Sequence, residues 1–244
     1  MIQRREYKYL IDERTAARVR SFISGLCSVD EYAARTDGRY ICDTLYLDTL
    51  RRSSYHATIE NASDRYKVRV RKYVGAEPVF LEVKRRVDDT IIKTRAKLGP
   101  DWVDYLEQPT LLKQLRDPTR AALSNFIRCY DTVHGPMLPA VLVRYEREPY
   151  SSTVDDYVRV TFDRKIEYQP KGELSLDQEI RHWVPIDSTA VVLELKFNDP
   201  APSWMMAMVR SLELPRAPNC KYTLAIDSML LAPTGRISTL YRGR

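Results

Sequence analysis

Between Asp64 and Tyr73 the sequence alternates cations with apolar or aromatic residues: Arg65, Lys67, Arg69 and Arg71 against Tyr66, Val68 and Val70. Side chains of an extended strand point to opposite faces in turn, so the four cations share one face at steps of about 7 Å. Like charges at that spacing repel, and a face shielded from bulk water needs an anion to balance them. The device recurs. Glu82, Lys84 and Arg86 oppose Leu81 and Val83; Arg159, Thr161 and Asp163 oppose Val158, Val160 and Phe162; Glu194 and Lys196 oppose Leu193, Leu195 and Phe197. The planar fork of arginine suits phosphate oxygens, and grouped carboxylates suit Mg2+ or Mn2+.

Alternation permits two architectures. A sheet can show its charged face to water, or close with that face inward and helices over the apolar outside. Solvated strands usually mix Thr, Ser, Lys and Glu. Here the charged face is rich in arginine, and Glu82 and Glu194 each lie two residues from a lysine. That pattern favours the inward version, a basic channel with a few carboxylates. A structural ion pair between Glu194 and Lys196 is the competing reading of the last strand.

These residues need strands to carry them. Period-two runs predict strands at Arg5–Ile11, Tyr40–Asp48, Arg65–Tyr73, Val79–Arg86, Ile91–Ala96, Ala140–Glu146, Val158–Ile166, Val191–Phe197 and Thr223–Leu231. Short turns such as Val74-Gly75-Ala76-Glu77 predict antiparallel hairpins. Helices are predicted after Asp12 (Val19, Phe22, Ile23, Leu26), Asp101 (Trp102, Val103, Leu106) and Thr119 (Leu123, Phe126, Ile127). A fourth starts at Ser203, with Trp204, Met205, Met208, Val209 and Leu212 along one side. The expected fold class is mainly β (α+β): a closed antiparallel β-barrel flanked by a few α-helices, because closure removes exposed strand edges. Gly135-Pro136 and Pro139 mark a seam between halves, but charged strands lie on both sides, and a single domain over residues 1–244 is expected.

With 39 Lys and Arg against 33 Asp and Glu the net charge is +6, a surplus whose placement matters more than its size. No helix-turn-helix, RRM or KH signature accompanies it, and nucleic acid is not expected as a partner. Cys27, Cys42, Cys129 and Cys220 form no CxxC pair and have no histidine at ligand spacing, which argues against a zinc site or disulfide framework. The start, MIQRREYKYLI, lacks an apolar signal core, and no uncharged run reaches the roughly 18 residues of a membrane span. A cytoplasmic location without a membrane span is expected. His56, His134 and His182 stand outside the charged motifs, and no Ser-His-Asp set or nucleophilic cysteine is suggested.

Glu6-Tyr7-Lys8-Tyr9, Thr44-Leu45-Tyr46-Leu47-Asp48, Arg69-Val70-Arg71-Lys72-Tyr73, Leu81-Glu82-Val83-Lys84 and Lys93-Thr94-Arg95 are followed by Tyr145-Glu146-Arg147, Val158-Arg159-Val160-Thr161-Phe162-Asp163, Leu193-Glu194-Leu195-Lys196-Phe197 and Cys220-Lys221-Tyr222. In this order they resemble the VTC domain, the polyphosphate polymerase domain of the vacuolar transporter chaperone complex and its bacterial relatives, within the triphosphate tunnel metalloenzymes and CYTH-like proteins. The resemblance implies an eight-stranded antiparallel tunnel in which the terminal phosphate of ATP joins a growing inorganic polyphosphate chain. It places phosphate-binding catalytic roles on Lys8, Arg69, Arg71, Lys84, Lys93, Arg147, Arg159 and Lys221, and supporting phosphate contacts on Arg95, Lys196 and Tyr145. It places a divalent metal, Mn2+ or Mg2+, on Glu194 with help from Glu82 or Glu6. Hydrolysis of tripolyphosphate or nucleoside triphosphates and non-catalytic polyphosphate binding are the alternatives. The sequence departs from the family at Cys220 and Pro218, where polymerases commonly carry Ser and Lys. The eukaryotic relatives also carry an SPX domain and membrane helices; neither is expected here, and a membrane or regulatory partner protein is expected to supply regulation or export.

Overall fold

The structure is a computed structural model that describes residues 4–88, 90–108, 122–126, 128, 135–176, 183–187, 190–217 and 220–231. Ten strands carry the fold: β1 (Arg4–Ile11), β2 (Cys27–Val29), β3 (Tyr40–Asp48), β4 (Asp64–Tyr73), β5 (Val79–Val87), β6 (Thr90–Leu98), β7 (Leu138–Ser152), β8 (Val158–Pro170), β9 (Val184–Asp187) and β10 (Val191–Asn198). The helices are α1 (Glu13–Ile23), α2 (Ser53–Ile59), α3 (Trp102–Glu107), α4 (Ser203–Ser211) and α5 (Lys221–Leu231), and residues 122–126 are also helical.

The strand path runs β1-β10-β8-β7-β3-β4-β5-β6, with β2 added on β7 and β9 on β8. Its ends, β1 and β6, stay unjoined, so the hydrogen-bonded sheet is an open one of ten strands and not the closed barrel of eight. One reason lies in Thr223–Leu231, which is helix rather than strand. Its buried residues Tyr222, Ala225, Ile226 and Met229 follow the 3–4 spacing of one helical face, a period that a strand would scatter over both sides. No further strand among the described residues remains to bridge the ends.

The chain divides into two compact units. The first comprises Met1–Ile41, Tyr145–Ile166 and Pro185–Cys220; the second comprises Cys42–Arg144, Glu167–Val184 and Lys221–Arg244. In the first unit the apolar face of β8 and β10 (Val158, Val160, Phe162, Leu193, Leu195, Phe197) is covered by Ala16, Val19 and Ile23 of α1 and by Met205 and Met208 of α4. In the second, Val68, Val70, Leu81, Val83 and Ala96 pack under Trp102 and Leu106 of α3 and under Leu123 and Phe126. Helices therefore cover the apolar side of both strand sets, as alternation required.

Caps set the helix positions. The Asp12 carboxylate accepts the Thr15 N–H at 2.7 Å and starts α1. Asp101 precedes α3 but makes no side-chain cap, and α4 begins with Pro202 at the cap and Ser203 as its first residue. Proline suits that place because the first helical turn has no use for its missing N–H. The predicted start at Thr119 lies outside the described residues. Gly75, at φ +82°, turns the chain from β4 into β5 where a side chain would be strained.

Candidate functional site

Antiparallel pairing brings the charged residues of β4, β5 and β6 into rows. Lys67 faces Lys84, which faces Lys93; Arg69 faces Glu82, which faces Arg95; Arg71 faces Phe80, which faces Lys97; Arg65 faces Arg86. Paired residues share a face, so this one carries four cations from β4, two from β5 and three from β6. Among the described residues of these strands, Glu82 is the only carboxylate on it.

Glu82 is 1% exposed and gathers its neighbours. Its Oε2 lies 2.6 Å from Arg69 Nη2 and 3.8 Å from Arg71 Nη1; its Oε1 lies 2.9 Å from Lys93 Nζ and 3.0 Å from Arg95 Nε. Burial opposes its ionisation, but Arg69, Arg71, Lys93 and Arg95 outweigh that and hold it well below the usual carboxylate range. Further partners steady the cations. Arg71 donates to Thr44 Oγ1, and Arg95 donates to the Tyr73 hydroxyl while stacking 3.9 Å over Phe80. Burial pushes Lys93 down and Glu82 pulls it up; Arg69 and Arg71 push it down again, which leaves it at about 8.

The first unit holds a different cluster. β1 pairs with β10 so that Glu6 faces Lys196 and Lys8 faces Glu194. Lys8 Nζ lies 3.0 Å from Glu6 and 3.6 Å from Glu194, and Lys196 Nζ lies 2.9 Å from Glu194. Arg147 grips the buried Asp163 with two bonds of 2.7 Å and reaches Glu194 at 3.6 Å. Burial would discharge Lys8, but Glu194 and Glu6 overcome it and raise its pKa. Burial likewise opposes the charge on Glu194; Lys196, Lys8, a hydrogen bond with Glu6 and Arg147 hold it well below the usual range. Three cations, Lys8, Lys196 and Arg147, thus balance three carboxylates, Glu6, Glu194 and Asp163.

Glu6 and Glu194 converge on one ammonium, and carboxylate oxygens so placed are of the kind that suits a small hard cation. Among the described residues, no group of three or more His, Cys, Asp or Glu comes together as a self-sufficient metal site.

The profile of the VTC domain matches residues 3–230. The chain belongs to the VTC domain family. No curated protein matches it in sequence. Two solved structures show its fold. A candidate adenylyl cyclase from Hippeastrum, reported to have a dominant triphosphatase activity, is 10% identical with a TM-score of 0.53, over 93% of this chain and 96% of its own. A protein from Pyrococcus horikoshii is 14% identical with a TM-score of 0.50, over 92% of this chain and 99% of its own. Both likenesses are of fold alone.

In this VTC domain the structure brings Arg69, Arg71, Lys84, Lys93 and Arg95 together with Glu82, and Lys8, Arg147 and Lys196 together with Glu194 and Glu6. Tyr145 is buried, with Arg147 5.3 Å over its ring. Arg159 stands directly across from Lys196 on the same face, pairs with Asp30 at 3.2 Å, and has a side chain 52% exposed. Lys221 opens α5. Among the positions that depart from the family, Cys220 is half-buried beside Lys8, and Pro218 lies outside the described residues. His56 stands edge-on to Tyr55 on α2; His134 and His182 lie outside the described residues.

Sequence reasoning assigned no role to Lys97, Asp163 or Phe80. Alternation after Lys93 and Arg95 would have reached Lys97. Nothing in the sequence says that Phe80 lies under Arg95.

Proposed function

We propose that this chain is a polyphosphate polymerase-like phosphotransferase that moves the terminal phosphate of ATP to the end of a polyphosphate chain. The observation that carries this reading is the face of β4–β6, which nine cations share with one carboxylate. Such a surplus in protein is stabilised by an anion of high charge and regular spacing, and phosphate chains supply both. In the transfer, a terminal oxygen of the acceptor chain forms a new P–O bond to the γ-phosphorus. The bond from that phosphorus to the bridging oxygen breaks, and ADP leaves with the electron pair. Phosphoryl transfer asks the protein for positioning and charge neutralisation, and Arg69, Arg71, Lys93 and Arg95 supply these to phosphate oxygens. Lys84, Arg159 and Lys221 would add charge toward phosphate, and Lys8, Arg147 and Lys196, with Tyr145 packed under Arg147, hold Glu194 in place. Glu194 and Glu6 would hold Mn2+ or Mg2+, which supplies Lewis-acid neutralisation of phosphate oxygens when bound.

Hydrolysis is the second reading. It is supported by the triphosphatase activity of the Hippeastrum protein and by Cys220 standing where family polymerases commonly carry Ser. Incubation with ATP and Mn2+ followed by gel analysis of the products separates the readings. Long chains support the polymerase, free phosphate the triphosphatase, and unchanged ATP with retained polyphosphate binding a binding module.

A further inference from the structure

The Glu82 carboxylate sits where the resemblance suggested a metal ligand, yet its surroundings are the reverse of a metal site. Each of its oxygens is already approached by two cationic side chains, Lys93 and Arg95 on Oε1, Arg69 and Arg71 on Oε2. A divalent cation approaching Glu82 would have to enter among these four positive charges, which repel it. The Glu194 cluster, at three against three and with a second carboxylate alongside, carries no such penalty.

Register explains why Glu82 can be a hub. It is the central member of a cross-strand row, with Arg69 directly opposite on β4 and Arg95 directly opposite on β6; Arg71 and Lys93 lie on its diagonals. Directly opposed side chains stand about 5 Å apart and diagonal ones about 7 Å, within reach of long side chains. One buried carboxylate at that node holds four flexible cations in fixed places, which removes the conformational entropy that each would otherwise lose on meeting a ligand.

We propose that Glu82 is a positioning residue that preorganises Arg69, Arg71, Lys93 and Arg95 as a clamp for phosphate oxygens, and is not a ligand of the metal. This rests on the phosphate-binding reading above. The test is calorimetric binding of sodium tripolyphosphate to the full chain, in EDTA and in Mn2+, for wild type, Glu82→Gln and Glu82→Asp.

The three possible roles of Glu82 differ in sign. As a positioning residue, its replacement by Gln weakens binding about ten-fold or more in EDTA and by the same factor in Mn2+. As a mere neutraliser, the same replacement raises the positive surplus and strengthens binding in EDTA. As a metal ligand, it leaves binding in EDTA unchanged and removes the gain given by Mn2+. Either of the last two results overturns the proposal. Should Glu82→Gln fail to fold, Glu82→Asp keeps the charge and withdraws the carboxylate by one methylene. A several-fold loss in EDTA then supports positioning, and wild-type affinity overturns it. Absence of tripolyphosphate binding by wild type defeats the functional reading instead, an outcome distinct from either.

Discussion

At the residue scale, the proposed function gives the Glu82 cluster to phosphate and the Glu194 cluster to a metal, a division that substitution can test. Glu194→Gln keeps the side-chain shape and removes the charge. Turnover of ATP with Mn2+ should be abolished, while tripolyphosphate binding in EDTA persists. Calorimetry and a phosphate-release or chain-growth assay check both, and wild-type turnover would make Glu194 a structural partner of Lys8 and Lys196. Lys93 gives a pH handle. Its folded pKa of about 8 lies below the ordinary 10.5, so between those values the unfolded chain holds a proton that the folded chain has lost. Stability from this group therefore rises as pH climbs from about 8 towards 10.5, whereas below 8 its charge opposes folding. Phosphate affinity runs the other way. It should fall as pH rises through about 8, and Lys93→Gln should lower affinity and flatten that limb.

At the scale of elements, each strand set depends on the helices over its apolar face. The Asp12 cap fixes where α1 begins, and α1 buries Ala16, Val19 and Ile23 over β8 and β10. Replacing Asp12 by Ala should lower the midpoint of a urea melt, with phosphate binding unchanged. α5 is held differently. The Tyr222 hydroxyl donates to the buried Asp48, whose carboxylate also accepts the N–H groups of Ser54 and Tyr55 at the start of α2. Tyr55 in turn donates to Asp227 at 2.5 Å. Asp48 thus serves as an anchor for two helices, and Asp48→Ala should destabilise the protein by about 3 kcal/mol or more, since it leaves buried donors without an acceptor.

At the scale of the whole molecule, a net charge of +6 understates the local imbalance, because much of the surplus is gathered on one strand face. Repulsion within that face is a standing cost of the ligand-free protein. If tripolyphosphate binds the folded chain and not the unfolded one, a concentration of about a hundred times Kd should add about 2.7 kcal/mol to stability. A thermal melt should show a rise of several degrees, reduced by high salt as the charges are screened. An unmoved midpoint at saturating tripolyphosphate would contradict the phosphate reading. Among the described residues, no helix is long and apolar enough to cross a membrane.

The sequence by itself determined which faces are charged and which are apolar. Side-chain alternation depends only on local backbone geometry, so the opposition of Arg69 and Arg71 to Val68 and Val70 was legible before any fold was known. The helix after Asp12 was equally local, because cap and stripe lie within a dozen residues. Thr223–Leu231 was misread as a strand because its apolar residues are too dense for either period to stand out. Only packing, which buries Tyr222, Ala225, Ile226 and Met229 together, selects the helix. What the tertiary structure alone decided is register. The chain does not state that Glu82 stands opposite Arg69 and Arg95, or that Glu6 and Glu194 share Lys8; these follow from how strands distant in sequence align. Charge is written residue by residue, but whether a carboxylate serves a metal or anchors a set of arginines depends on the neighbours that pairing gives it.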